Sequence, residues 1–506
     1  MAQQFTDEIK IAREATIKMG GTLTSSGLKY LFYILAARLL GVELLGLYAL
    51  AISVIQLGVT IGKLGLGIGV VRFVAKYRAL NQMSAIVATI RKAATIGLIS
   101  SALITAIILL TANWISVHLF HAGETILPDL LIGFALVVPL IIEAQILSAV
   151  SQGFQILKYQ VLAVEIIPNF FIILAFGVLA FWTKPLWSIT ISFNGAHVLS
   201  LLVAIYFLGR LVPLRGHSGG HAPPDLVRYS LPLMMSAIMS ILLFMSDIFM
   251  LGALADSYAT GLYQPALRTA SIMTMLTASF GSIFAPMVSG LQAQNNIDRV
   301  RQLLRLVCRW SFAVTWPLAL YLLVYATKVM LLFGADFVAG WSTLCILAGA
   351  QVLIAITSGN GIIFGMTGYP RLNLINNSAA LVSNIIANAY LIPRFGIVGA
   401  AWGSFLAIAL LAVLRLVESW VIFRLHPFSR KLAKPLLAGV VAAGATYLLN
   451  YAISGLHSIP VLLIGLVIFA SIYIAVFFLL GVDQEDREVL KAIRRKLAGT
   501  GLSSHR

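Results

Sequence analysis

Charge is what this sequence has least of. Among its 506 residues only 10% are Asp, Glu, Lys or Arg, while 60% are hydrophobic; the mean hydropathy is +0.96. Soluble domains carry about 25% charged residues, so a soluble globule of this size is excluded and lipid is the solvent for most of the chain. In lipid every backbone N–H and C=O needs a partner within the structure, which leaves helices or a closed barrel. The apolar runs are roughly 20–28 residues long and do not alternate, and this selects helices. Cysteine is almost absent. Cys308 and Cys345 lie in or beside apolar runs, which argues against a disulfide framework or a cysteine metal site and reads as small apolar core residues. The opening stretch, MAQQFTDEIKIAREATIKMGG, is charged and mixed and does not read as a signal peptide.

Catalytic signatures are missing too. There is no GxxxxGK[ST] phosphate loop; GVTIGKLG at 58–65 has the wrong spacing and sits inside an apolar run. ATP hydrolysis by this chain is therefore not expected. No polar segment much exceeds about 22 residues, too few for a folded catalytic domain. Zincin, nucleophile-elbow and Ser/His/Asp patterns are absent. DQED at 483–486 reads as an acidic cluster in a solvated tail. The expectation is that the protein is not an enzyme and holds no cofactor.

What the sequence does have is a succession of apolar runs. About fourteen spans are expected, near 21–41, 45–70, 93–118, 127–149, 160–182, 186–209, 229–253, 259–287, 310–333, 342–365, 374–393, 396–423, 436–454 and 460–481. With the N-terminus inside, 27 of the 35 Lys and Arg fall in cytoplasmic segments and 3 (Lys184, Lys328 and Arg394) in outer ones. That is the positive-inside bias, and it implies an even count with both termini cytoplasmic in a multi-pass inner or plasma membrane protein. Topology and attraction to anionic lipid head groups account for the +17 net charge without a nucleic-acid partner.

The chain reads as doubled. GLYALA at 46–51 resembles GLYQPA at 261–266, and each is followed by a span and then an amphipathic basic segment. RGHSGGHAPPD at 215–225 reads as a linker; its His217 and His221 are solvated linker residues or, as the alternative, metal ligands. The expected organisation is a cytoplasmic segment at 1–20, an N-terminal lobe at 21–212 and a linker at 213–226. A C-terminal lobe at 227–425, two further spans within 432–481 and a cytoplasmic tail at 482–506 follow. The fold class is all-α integral membrane: two pseudo-symmetric six-helix lobes around a central cavity, plus two C-terminal helices. Repeats that meet at a cavity suit alternating access.

Ionisable residues inside spans are costly and mark function by default. Span 1 carries Thr22, Ser25, Ser26, Lys29 and Tyr33 on one broad face. Span 2 carries Ser53, Gln56, Thr60 and Lys63 at spacings of 3, 4 and 3, and span 8 carries Gln264, Arg268 and Ser271 with Pro265 beside them. Polar stripes at helical spacing that end in cations suggest a cationic cavity suited to an anion. The alternative is snorkelling to the interface, strongest for Arg38. Span 7 carries Asp247, and span 11 carries Asn373, Asn377, Asn384 and Asn388 at spacings of 4, 7 and 4. One acid facing amide oxygens suits Na⁺ or H⁺ coupling; the other reading is hydrogen bonding between spans. Arg415 and Glu418, three apart, are expected to pair. Glu143, and Glu165 with Asn169, are left open between cavity lining and helix contact.

AARLLGVELLGLYALA and LGLGIGVVRFVAKY in the first two spans, and AYLIPRFGIVGAAWGSFLA between spans 11 and 12, resemble the polysaccharide-biosynthesis transporters, the Wzx-type O-antigen and exopolysaccharide flippases. Their superfamily also holds multidrug extruders and lipid II flippases. The resemblance implies two lobes about a cavity and outward movement of a polyprenyl-pyrophosphate-linked glycan. Polysaccharide polymerase and glycosyltransferases are its implied partners. It places substrate-binding cations at Lys29, Lys63 and Arg268; the residues themselves add Gln56, Thr60, Gln264, Glu143, Glu165, Asn373 and Asn384 as candidates for the lining. It also implies a cation site at Asp247, Asn377 and Ser404. A cation-coupled multidrug exporter of the same fold, or a membrane assembly factor without transport, are the competing readings.

Overall fold

A computed structural model describes residues 2–121, 126–213, 222–294, 296–367, 369–452 and 458–481. The linker histidines and the 482–506 tail lie outside the described residues. Among those described, the regular structure is entirely helical. The first half contains α1 (Ala2–Gly62), α2 (Leu66–Ala79), α3 (Met83–Trp114), α4 (Ile126–Ala135), α5 (Val138–Gly153), α6 (Leu157–Gln160), α7 (Ile167–Leu179) and α8 (Pro185–Leu211). The second contains α9 (Leu226–Leu254), α10 (Ser257–Ala293), α11 (Ile297–Val324), α12 (Ala326–Leu331), α13 (Trp341–Met366) and α14 (Pro370–Phe423), followed by α15 (Ala433–Ala452) and α16 (Ser458–Leu479).

Eleven helical segments among the described residues are long and apolar enough to cross a membrane, against about fourteen expected spans. Two of the eleven are double length, Thr16–Ala79 with 64 residues and Arg371–Phe423 with 53; one crossing needs about 20. The first breaks at Gly41 (φ +73°) and the second at Gly396 (φ +55°). Left-handed backbone is open to glycine and strained for other residues, so these are the points where the sequence lets a long apolar run turn back. Gly41 ends the expected span 1, and Gly396 opens the expected span 12. α10 adds a further 37-residue helix. Because α1 begins at Ala2, the expected 1–20 segment continues into the first span as one helix.

Inside the bundle, aromatic rings pack edge to face. Phe32 lies 5.9 Å from both Tyr48 and Phe176, and Tyr48 lies 5.9 Å from Phe134. Outside, large apolar side chains such as Leu110, Phe181 and Trp182 are more than 80% exposed, as a surface in contact with lipid tails requires. α15 and α16 pack on each other and on α11. They are tied there by Tyr321 Oη to the Leu462 carbonyl (2.7 Å) and Tyr473 Oη to the Ala313 carbonyl (2.7 Å).

The two halves meet chiefly where α1 packs on α10, and this contact is reciprocal. A Cβ on Gly46 would lie 1.8 Å from the Ser257 carbonyl oxygen; one on Gly261 would lie 1.9 Å from the Val42 carbonyl oxygen. Val42 precedes Gly46 by four residues and Ser257 precedes Gly261 by four, so each helix treats the other alike, as across a local two-fold axis. These glycines open the repeated GLY motifs. At the opposite end of the second span, α2 packs on α9: a Cβ on Gly65 would lie 2.3 Å from the Ser230 carbonyl oxygen. The halves therefore touch at both ends of the bundle.

Candidate functional site

Lys29 and Arg268 come together between those two contacts. Lys29 lies within electrostatic reach of Arg268 on α10 and Glu165 before α7, and it acts in turn on His197 of α8. With neighbours from three other elements it stands among the helices, and its side chain is exposed. Arg268 sits 4.4 Å over the Tyr33 ring, a cation–π seat. Its Nε is buried with no hydrogen-bond partner among the described residues. Gln264, one turn earlier, is 0% exposed, and neither amide atom has a described partner. It was expected to line the cavity; here it is fully enclosed by α1–α10 packing. Nearby, Glu165 accepts from Thr22 Oγ1 (3.1 Å), and Asn169 donates to Ser25 Oγ (3.2 Å) and to the Glu165 carbonyl. Glu165 and Asn169 thus tie span 5 to span 1. Cationic and amide donors outnumber acceptors here, which suits an anion.

Lys63 is not part of this group. Its Nζ donates to Gln145 Oε1 (3.0 Å) on α5, and it lines a separate cavity of about 320 Å³ with Thr60, Ser148, Gln152 and Gln160. The three expected cations therefore form a pair and a single. Span 1 and span 8 meet at one depth, and the end of span 2 lies at another. Gln56 is exposed and its carbonyl accepts from Thr60 Oγ1 (2.8 Å). Arg38 donates through Nε to the Leu332 carbonyl (2.7 Å), a contact between the halves.

Asp247 is 4% exposed and accepts four hydrogen bonds. Asn384 Nδ2 (3.0 Å) and Asn388 Nδ2 (2.8 Å) reach Oδ1; Tyr263 Oη (2.6 Å) and Ser404 Oγ reach Oδ2. Ser246 Oγ donates to Asn384 Oδ1 (2.7 Å). A Cβ on Gly403 would lie 1.9 Å from Asn388 Oδ1, so that glycine makes room for the network. Spans 7, 8, 11 and 12 are bound together here. The expected trio of Asp247, Asn377 and Ser404 needs correction: Ser404 belongs, Asn377 does not, and Asn384, Asn388 and Tyr263 do. Two hydrogen bonds on each oxygen fill the lone pairs of the carboxylate, so in this arrangement Asp247 has no position free for a metal ion. Tyr263 was missed because a tyrosine in an apolar run reads as core; its place in the GLYQPA repeat was the available signal.

The remaining candidates form a third polar group in α13 and α14. Asn377 Oδ1 accepts from Arg415 Nη2 (3.5 Å), Asn373 Nδ2 donates to the Gly361 carbonyl (2.8 Å), and Asn376 Nδ2 donates to Glu418. Arg415 and Glu418 are within electrostatic reach but form no direct ion pair, contrary to expectation. Arg415 instead lies against Gly361, where a Cβ would stand 3.0 Å from its guanidinium carbon. Glu143 is buried between α5 and α3 beside Gly97, and is not among the residues lining the Lys63 cavity.

Comparison with known proteins places this architecture. Residues 11–292 match the family described as polysaccharide biosynthesis protein. The chain belongs to that family. A probable low-salt glycan biosynthesis flippase of Haloferax volcanii, Agl15, is 27% identical over 169 residues, covering 33% of this chain and 36% of that protein. The chain thus spans about a third of the length of that curated relative. Among solved structures, lipid II flippase MurJ in an inward closed conformation superposes with a TM-score of 0.70 at 16% identity, over 90% of this chain and 96% of that one. A multidrug resistance MATE family transporter of the MOP superfamily, inward-facing, gives 0.65 at 15% identity, over 78% and 94%. At such identities the likeness establishes the fold: a multi-pass helical membrane protein of the kind these transporters share.

Proposed function

We propose that this member of the family moves a polyprenyl-pyrophosphate-linked oligosaccharide across the cytoplasmic membrane by alternating access, for surface polysaccharide synthesis. The observation that carries the reading is the Lys29–Arg268 pair. Two cations from opposite halves stand together, with Glu165 within electrostatic reach of Lys29 but no ion pair to either cation among the described residues, a net positive arrangement that favours an arriving anion. A pyrophosphate is such an anion. Arg268 supplies a planar fork held by Tyr33; Lys29 supplies a point charge that follows the phosphate as it turns. With the N-terminus cytoplasmic, the Gly46–Gly261 contact closes the outer end and the Gly65–Ser230 contact the inner one; the head group enters when α2 and α9 part. The lipid tail stays in the bilayer, and polymerase and glycosyltransferases of the same assembly line supply and consume the substrate.

A drug exporter of the same fold is the second reading. Exported drugs are mostly cations, and two cations standing together argue against it. Complementation of a strain unable to export its surface polysaccharide separates the two. Lys29→Ala and Arg268→Ala, at unchanged expression, should each reduce export at least tenfold. Full export by both variants would refute the anion site.

A further inference from the structure

Glu143 is not among the residues lining the Lys63 cavity, and its surroundings are unlike those of the other acids inside the spans. Asp247 accepts four hydrogen bonds, Glu165 accepts one from Thr22 and Glu418 one from Asn376. Glu143 is 6% exposed, and its Oε1 is buried without a partner among the described residues. It points across the seam between α5 and α3 at Gly97, where a Cβ would stand 2.6 Å from Oε1. Only a glycine leaves that oxygen its place.

The charged groups with described contacts on the surrounding elements are engaged elsewhere, Lys76 of α2 over the Tyr77 ring and Arg210 of α8 over the Tyr206 ring among them. Lys63, between α1 and α2, donates to Gln145; Arg72 of α2 lies over the Tyr229 ring, and Arg78 donates to the Phe154 carbonyl. Lys92 of α3 donates to the Pro223 carbonyl, His197 of α8 bonds the Phe193 carbonyl, and Glu165 faces Thr22. No charged group acts on Glu143 electrostatically. An ionised carboxylate with no cation and an unpartnered buried oxygen, enclosed within a membrane bundle, is far less stable than its neutral acid.

We infer that Glu143 is a proton-binding site that holds its proton in this closed arrangement. The ligand is H⁺ and the group is the γ-carboxyl. Losing the proton places a bare negative charge in the α3–α5 seam, so rising pH weakens the seam and favours arrangements in which water reaches it. This gives the first half a titratable element separate from Asp247 in the second.

The test is infrared spectroscopy of the full-length protein in lipid at neutral pH. The wild type should show a protonated-carboxyl C=O stretch that shifts in D2O. Glu143→Gln, a neutral isostere, should remove that component, while Asp247→Asn should leave it. Thermal stability of the wild type should fall from pH 5 to pH 7 more steeply than that of Glu143→Gln. A wild-type spectrum without a component lost in Glu143→Gln would overturn the inference. If Glu143→Gln fails to fold, Glu143→Asp serves in its place: it should keep a protonated-carboxyl component at a shifted frequency, and an unshifted component would overturn the inference. The readout is spectroscopic and does not depend on what is transported.

Discussion

Adding one methyl group at each repeated glycine should hold the halves apart at the Gly46 end. In Gly46→Ala the new Cβ starts 1.8 Å from the Ser257 carbonyl oxygen, and ordinary contact begins at 3.4 Å. α10 must retreat by about 1.6 Å, and backbone, unlike a side-chain tip, cannot rotate aside. Gly261→Ala imposes the same demand through the Val42 carbonyl, from 1.9 Å. Overpacking of this kind costs about 1–3 kcal/mol. The cost falls only on arrangements in which α1 and α10 touch, so a penalty of about 1.4 kcal/mol lowers their population roughly tenfold against open ones. The assay is a distance distribution between spin labels at Glu43→Cys and Ala255→Cys, both exposed beside the contact, with Cys308 and Cys345 replaced. The wild type should populate a short distance. The double variant Gly46→Ala/Gly261→Ala should lose most of it and export little glycan. An unchanged distribution in a well-expressed double variant would refute the idea that this contact must part and re-form.

Asp247→Asn should destabilise the second half by about 2–4 kcal/mol, because buried amide and hydroxyl donors lose a charged acceptor; thermal unfolding in detergent would reveal it, and a midpoint within a degree of wild type would contradict the four-bond network. Asn377→Ala, lying outside that network, should cost less than Asn388→Ala in the same measurement. Tyr33→Leu removes the seat of Arg268 while keeping bulk, and should weaken export severalfold; if it matches wild type, the cation–π contact has no role in placing Arg268. Gln145→Leu should free Lys63 without disturbing Lys29, so the effects of Gln145→Leu and Arg268→Ala on export should combine independently, and strong non-additivity would mean that the two groups are one.

The sequence carried the spans because burial in lipid requires long apolar runs, and it carried their reversals because Gly41 and Gly396 can adopt a backbone that other residues resist. The repeat was visible as GLYALA and GLYQPA, but not its purpose: nothing in a motif says that its two copies touch. Periodicity assigns a residue to a face, not to a depth. Hence Lys29, Lys63 and Arg268 looked like one group although Lys63 sits elsewhere, and Asn377 looked equivalent to Asn384 and Asn388 although only the latter two reach Asp247. Gln264 and Glu143 show the same limit from another side. A polar residue on an internal face can line a cavity or be sealed between helices, and only the packing of α1 on α10, or of α3 on α5, decides which.

The central claim is that paired cations behind a glycine contact receive a pyrophosphate-linked head group. The most direct measurement is the movement of a fluorescent polyprenyl-pyrophosphate oligosaccharide across proteoliposomes holding purified protein. Wild-type protein should move it, and Lys29→Ala/Arg268→Ala should slow the movement by at least tenfold while leaving the reconstituted amount unchanged. Equal rates for wild type and the double variant, or equal movement of the same lipid with its pyrophosphate replaced by a neutral link, would contradict it.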